Sequence, residues 1–209
     1  MQFAIGLILV SKFFNFKGKD MSINLSKGSN INLSKEAPGL TEVTIGLGWK
    51  ARVTDGVEFD LDALAFMLDE NGKSPSEKHV VFYNNLQSEN GAIVHSGDNR
   101  TGDADGDDET ITIKLNEVPA NIHRIVVAVS IHDAQTRNQN FGQVSDSYIR
   151  VVNSVGNVEL AKFDLGEDAS TQIVLTFGEL YRHNGDWKFR AVGEGFAGGL
   201  QALAASFGV

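Results

Sequence analysis

The sequence predicts an all-β protein, an antiparallel β-sandwich with a few short helices, one of them near the C-terminus. Three observations carry that prediction. From Met21 onward apolar residues recur with period two or in short runs, the pattern of strands buried on one face or on both. Glycine and asparagine, rather than proline, separate these segments, with 22 glycines against 3 prolines. Only Gly199–Ser206 (GLQALAAS) is rich in Ala and Leu and followed by a stop, Gly208, as a helix requires.

Taken in order, the first twenty residues stand apart. An apolar stretch, Phe3–Val10, precedes Lys12, Lys17 and Lys19. It is too short for a membrane span of about 20 residues and lacks the basic start and small-residue cleavage site of a signal peptide. Residues 1–20 read as an N-terminal extension, or as the product of a misplaced start ahead of Met21, with a membrane-anchoring peptide as the competing reading. Residues 21–209 read as a single domain. Within it, INLSK occurs at Ile23–Lys27 and again at Ile31–Lys35 across Gly28-Ser29-Asn30, which predicts two short strands joined by a tight turn. Further strands are predicted at Val43–Trp49, Phe59–Leu68, His79–Tyr83, Ala92–His95, Thr110–Leu115, Ile122–His132, Gln143–Val152, Val158–Phe163, Gln172–Leu180 and Trp187–Val192. One or two helical turns are expected near Ala161–Ala169.

The charge is concentrated. The chain carries 27 Asp and Glu against 18 Lys and Arg, a formal net charge of −9. Asp55–Asp62 (DGVEFDLD) contributes −4 and Asp98–Glu109 (DNRTGDADGDDE) contributes −5, so the remaining acids and bases balance at 17 each. An excess of this sign disfavours nucleic-acid binding and adsorption to anionic lipid. With 0 cysteines the chain has no disulfides, thiolate metal sites or thiol redox chemistry.

In Phe59–Leu68, alternation sets Phe59, Leu61, Ala63, Ala65 and Met67 on one face and Asp60, Asp62, Leu64, Phe66 and Leu68 on the other. Both faces are apolar after Ala63, so the strand is covered on both sides, and Asp60 and Asp62 continue a core-facing row. Two like charges there resist desolvation and raise each other's pKa, and a shared divalent cation relieves both penalties. The second segment offers further oxygen ligands in Asp98, Asn99, Asp103, Asp105, Asp107, Asp108 and Glu109, with Gly102 and Gly106 to let the backbone turn. Calcium, which takes six to eight oxygens at about 2.3–2.6 Å, suits such a loop better than the strict octahedron of magnesium. An EF-hand alignment puts Thr101 and Thr112 where Asp and Glu are required, so the loop is expected between strands. Alone, an acidic loop is a solvated surface turn; the Asp60/Asp62 pair is what that reading leaves unexplained.

Other motifs carry less. Gly193–Gly198 (GEGFAG) matches G-x-G-x-x-G, but only eleven residues follow, too few for a dinucleotide fold, and it reads as a link to a docked terminal helix. The five histidines lack zinc-site spacing and read as surface or strand residues, and no G-x-S-x-G elbow is present. Trp49, Tyr83, Trp187 and Phe189 read as core, and Asn138–Gln143 (NQNFGQ) as a hydrogen-bonded turn, with part of a polar site wall as the competing reading.

Nine blocks carry a family resemblance: Leu25–Gly28 (LSKG), Gly46–Trp49 (GLGW), Phe59–Ala63 (FDLDA), Phe82–Asn85 (FYNN), Gly97–Gly102 (GDNRTG), Asp105–Glu109 (DGDDE), Gln139–Gln143 (QNFGQ), Gly178–Arg182 (GELYR) and Trp187–Val192 (WKFRAV). In these, Met21–Val209 resembles the TerD-type tellurite-resistance and stress-response proteins, of the TerD and TerE type. The resemblance implies a β-sandwich that binds Ca²⁺, two ions by expectation, through Asp60, Asp62, Asp98, Asn99 and the Asp103–Glu109 run. It implies a cytoplasmic, non-enzymatic protein at the inner face of the membrane, without inserting into it, in a complex with other Ter proteins and a TerC-like membrane protein. Tellurite is an oxyanion, and a thiol-free acidic chain is a poor reductant and anion trap, so direct detoxification is not expected. The alternatives are a metal-dependent phosphoester hydrolase and a small-ligand, cyclic-nucleotide-binding protein; Arg100 is the only base in either acidic segment, and the sequence displays no phosphate cradle.

Overall fold

The computed structural model describes residues 22–51, 58–100, 106–165 and 171–209. The strands are β1 Ile23–Asn24, β2 Asn30–Asn32, β3 Glu42–Ala51, β4 Leu61–Leu68, β5 Val80–Val81, β6 Ile93–His95, β7 Glu109–Lys114, β8 Arg124–Ile131, β9 Val144–Asn153, β10 Val158–Asp164, β11 Val174–His183 and β12 Asp186–Gly195. Three short helices join them: α1 Leu33–Glu36, α2 Ala134–Arg137 and α3 Gly199–Ser206. The strands form two six-stranded sheets, in the orders β1-β10-β9-β3-β7-β6 and β2-β12-β11-β8-β4-β5. Every strand pairing is antiparallel except that of β1 with β10. This is the all-β sandwich that the period-two pattern predicts.

The main core lies between the sheets, where Ile45, Leu47, Leu61, Ala65, Ile111, Val127, Val151, Leu175, Phe177 and Phe189 are buried together. Alternation along β4 then sets a second core on the far side of its sheet. There Leu64, Phe66 and Leu68 meet Val126, Ala128 and Val174 beneath Leu203 of α3. All eight residues of β4 are buried, as its two apolar rows require. At its first turn the outer row changes from Leu64 to Asp62 and Asp60, and the covering helix gives way to an open cleft.

Two local expectations are corrected. The INLSK repeats form no hairpin, because β1 pairs with β10 in one sheet and β2 pairs with β12 in the other. After β2 the second copy turns helical: the Asn32 side chain accepts from the Lys35 N–H at 3.1 Å, capping α1, and Leu33 enters the core. The same pentapeptide takes different structures because different partners cover it. No helix begins at Ala161, since β10 runs on to Asp164; the rest of that expected turn, 166–169, lies outside the described residues. Conversely, the sequence reading left out α2, a single turn flanked by the left-handed residues Asp133 and Asn138.

Candidate metal centre

Asp60 and Asp62 lead into β4, and β8 ends beside them. The backbone N–H of His132 donates to the Asp60 carbonyl at 2.8 Å, extending the β4–β8 pairing by one step. The connection between β6 and β7 crosses from the opposite sheet and delivers Asp98. Carboxylate oxygens of Asp60, Asp62 and Asp98 come within 4.8 Å of one another. Asp60 and Asp62 are buried and Asp98 is exposed, so the triad opens outward on one side. One buried oxygen, Asp60 Oδ1, has no hydrogen-bond partner among the described residues.

The electrostatics follow from this placement. Burial, then the charges of Glu109, Asp60 and Asp98, push the Asp62 carboxyl up to about 7. Asp60 is raised by burial first and then by Asp98, against the lowering influence of His132, Arg137 and Arg100. Without a counter-ion, the cluster therefore retains protons that exposed aspartates release. A hard cation fits this donor set: all the donors are oxygen, one is orphaned, and positive charge offsets the burial and the repulsion that raise both pKa values. Asp60, Asp62 and Asp98 are the residues that would hold it.

Other acids of the second segment are engaged differently. Glu109 is buried, with Oε2 accepting from the Ala63 N–H at 2.7 Å and Oε1 from the Asn99 N–H at 3.2 Å. The Asn99 side chain donates to the Asp108 carbonyl at 3.2 Å, and Asp108 accepts from the Trp49 N–H at 2.9 Å. Asp107 points to the outer face of its sheet, where Arg150 grips both its oxygens at 2.7 and 3.0 Å. Tyr148 donates to Asp107 at 3.0 Å, and burial followed by the Asp107 charge pushes the phenol up to about 12. The GLGW motif makes room for this arrangement: a Cβ on Gly46 would sit 2.1 Å from Asp107 Oδ2, and one on Gly48 would sit 2.4 Å from the Tyr148 ring. Asp103 and Asp105 lie outside the described residues.

Three residues outside the predicted ligand set line the same cleft. The triad lines one wall of a cleft of about 520 Å³ whose other lining includes Tyr83, His132 and Arg137. Tyr83 is half-buried rather than core, and its ring meets that of His132 edge-on at 6.2 Å between centroids. His132 Nδ1 lies 3.8 Å from Asp62, and Arg137 Nη1 lies 4.0 Å from Asp60. Only the β4–β8 pairing and the α2 turn bring His132 and Arg137 here, so no spacing in the sequence pointed to them.

A family model described as the TerD domain matches residues 21–207. The chain belongs to the TerD family. Among its relatives, "Tellurium resistance protein TerD" of Serratia marcescens is 57% identical over 189 residues, covering 90% of this chain and 98% of the relative. "General stress protein 16U" of Bacillus subtilis is 50% identical over 190 residues, covering 90% of this chain and 98% of the relative. A crystal structure of a homologue of telluride resistance protein (TerD) from Streptomyces coelicolor superposes with a TM-score of 0.65 at 27% identity, covering 79% of this chain and 96% of that one. The TerD family thus joins tellurium-resistance and stress-response proteins on the sandwich described above. Among the described residues, no helix is long and apolar enough to cross a membrane.

Proposed function

We propose that this TerD protein is a non-enzymatic, cytoplasmic calcium-binding module of a tellurite-resistance and stress response. The observation that carries the reading is the convergence of Asp60, Asp62 and Asp98 from two sheets within 4.8 Å, two of them buried. Unpaired buried carboxylates cost several kcal/mol (~3 or more) unless protonated or matched by positive charge, and a divalent ion supplies that match. Occupancy ties β4 of one sheet to the β6–β7 connection of the other. It thereby fixes the acidic segment that faces a partner, in keeping with a role beside other Ter proteins and a TerC-like membrane protein. A second ion, if taken up, draws on acids of Asp98–Glu109 other than Asp107, which Arg150 holds.

Calorimetry of metal-free protein against Ca²⁺ and Mg²⁺ tests the reading. The expected result is Ca²⁺ uptake with selectivity over Mg²⁺, lost in Asp60→Asn and Asp62→Asn. Absence of Ca²⁺ heat, together with a melting temperature indifferent to Ca²⁺, overturns it.

A further inference from the structure

The cleft beside the triad has a cationic wall that the proposed ion leaves unused. Arg137 sits on the α2 turn with its side chain only 23% exposed, and its guanidinium makes no hydrogen bond among the described residues. Its nearest acid among the described residues, Asp60, is at 4.0 Å, beyond hydrogen-bond reach. Its five N–H donors are held at the cleft in a fixed fork. Arg100 reaches the same cleft from the opposite sheet, tethered by its Nε to Asp98 at 2.9 Å. Tyr83 and Asn84 add polar groups to the lining.

Charge decides when this wall is usable. Among the described residues, four lining carboxylates, Glu58, Asp60, Asp62 and Asp98, face two guanidiniums, a balance of −2 with His132 counted as neutral. An anion entering that field is repelled. A divalent cation on the triad cancels the balance and frees the guanidiniums to engage a new acceptor. Planar guanidinium forks match tetrahedral phosphate oxygens in pairs, and about 300–1,000 Å³ is the usual size of a small-molecule site, a range that contains this cleft.

We infer that the cleft binds a phosphate group, carried on a small molecule or free, between the occupied cation site and Arg137, and that it does so only when the cation is present. The inference rests on the cation reading above. It also turns the protein from a calcium sensor alone into one that reports calcium and a phosphorylated ligand together.

The test is calorimetry at pH 7.5 with methyl phosphate and with inorganic phosphate, titrated into Ca²⁺-loaded and into EGTA-treated protein. The expected result is a Kd below about 1 mM for the loaded protein and at least about tenfold weaker binding without Ca²⁺. With the cation site held saturated by Ca²⁺, Arg137→Gln loses at least about tenfold in phosphate affinity, and Arg137→Lys falls between. Tighter binding of methyl phosphate supports a phosphorylated small molecule, and tighter binding of inorganic phosphate supports the free ion. Equal phosphate binding by wild type and Arg137→Gln, or binding indifferent to Ca²⁺, overturns the inference. Ca²⁺ uptake with no phosphate binding overturns it while leaving the cation reading standing, whereas absence of Ca²⁺ uptake overturns the cation reading itself.

Discussion

The buried carboxylate of Glu109, at the start of β7, accepts a hydrogen bond at 2.7 Å from the backbone N–H of Ala63 in β4, so one side chain joins the two sheets beside the acidic triad. Strand β5 pairs with β4 only at Ala65 and Phe66, which leaves the edge at Ala63 without a neighbouring strand. Glu109 takes the N–H there. His95, whose Nδ1 accepts from Gly97 N–H, places Nε2 at 3.1 Å from the Ala63 carbonyl. Two side chains from the opposite sheet thus satisfy a strand edge that would otherwise be buried unpaired. Glu109→Ala should destabilise the protein by about 2–4 kcal/mol, because it orphans two backbone donors at once. It should also weaken Ca²⁺ binding, because the Asn99 N–H that fixes the Asp98 loop is released. Urea denaturation and calcium calorimetry measure both, and a stability loss below about 0.5 kcal/mol would show that water replaces the clamp.

Metal-free stability should fall as pH rises from about 4 to 7. Asp62 titrates at about 7 in the folded chain against a reference value of 3.8. Below the reference value it is protonated in both states and carries no penalty. Between the two values the unfolded chain has released a proton that the folded one still holds, so each rise in pH favours unfolding; above 7 the penalty is complete. Asp60, also raised, acts in the same direction. Asp62→Asn should therefore stabilise the metal-free protein at pH 8 by on the order of 2–4 kcal/mol and flatten the profile. Saturating Ca²⁺ should flatten the wild-type profile too. Denaturation series at pH 5 and 8, in EGTA and in Ca²⁺, read these slopes; a wild-type profile already flat in EGTA contradicts the prediction.

Asp107 belongs to a separate ion pair on the outer face of the first sheet, and it can be separated from the triad by mutation. Gly46→Ala puts a methyl group into the space of the Asp107 carboxylate and must displace it from Arg150. The expected cost is about 1–3 kcal/mol, with Ca²⁺ affinity within about threefold of wild type. Asp107→Asn should behave alike. A loss of Ca²⁺ stoichiometry in either variant would show Asp107 to be a ligand, as the family resemblance implies.

Strand identity was legible because the alternation in Phe59–Leu68 and Thr110–Leu115 is a local property, and so was α3, where Ala and Leu crowd one segment. The Asp60/Asp62 pair was legible for the same reason, since its row leads into Leu64 and Phe66. What sequence order hides is partnership. Nothing local distinguishes the two INLSK copies, yet one meets β10 and the other β12. Likewise Asp98 and Asp107 look equivalent in one acidic run, but the sheet turns the first toward Asp62 and the second toward Arg150. His132 and Arg137 reach the cleft only through the end of β8 and the α2 turn. The charge asymmetry pointed to two segments, and the topology divided their carboxylates between a converging triad, a cross-sheet clamp and an external ion pair.

The C-terminal helix should matter to stability rather than to cation binding. Leu203 is 1% exposed against Leu64 and Phe66, and the ring of Phe207 lies 5.1 Å from that of Phe66. These contacts cover the outer row of β4 that becomes Asp62 and Asp60 at its other end. Leu203→Ala should cost about 2–3 kcal/mol through the cavity it leaves, with Ca²⁺ stoichiometry unchanged. Removing residues 199–209 exposes Leu64, Phe66, Leu68 and Val126 together, an apolar patch that should drive association of the truncated chain. Light scattering of the truncated protein beside urea denaturation of Leu203→Ala separates the two effects. If Leu203→Ala instead lowers Ca²⁺ affinity about tenfold or more, the helix and the triad are coupled through the β4 row, and α3 becomes part of the calcium response.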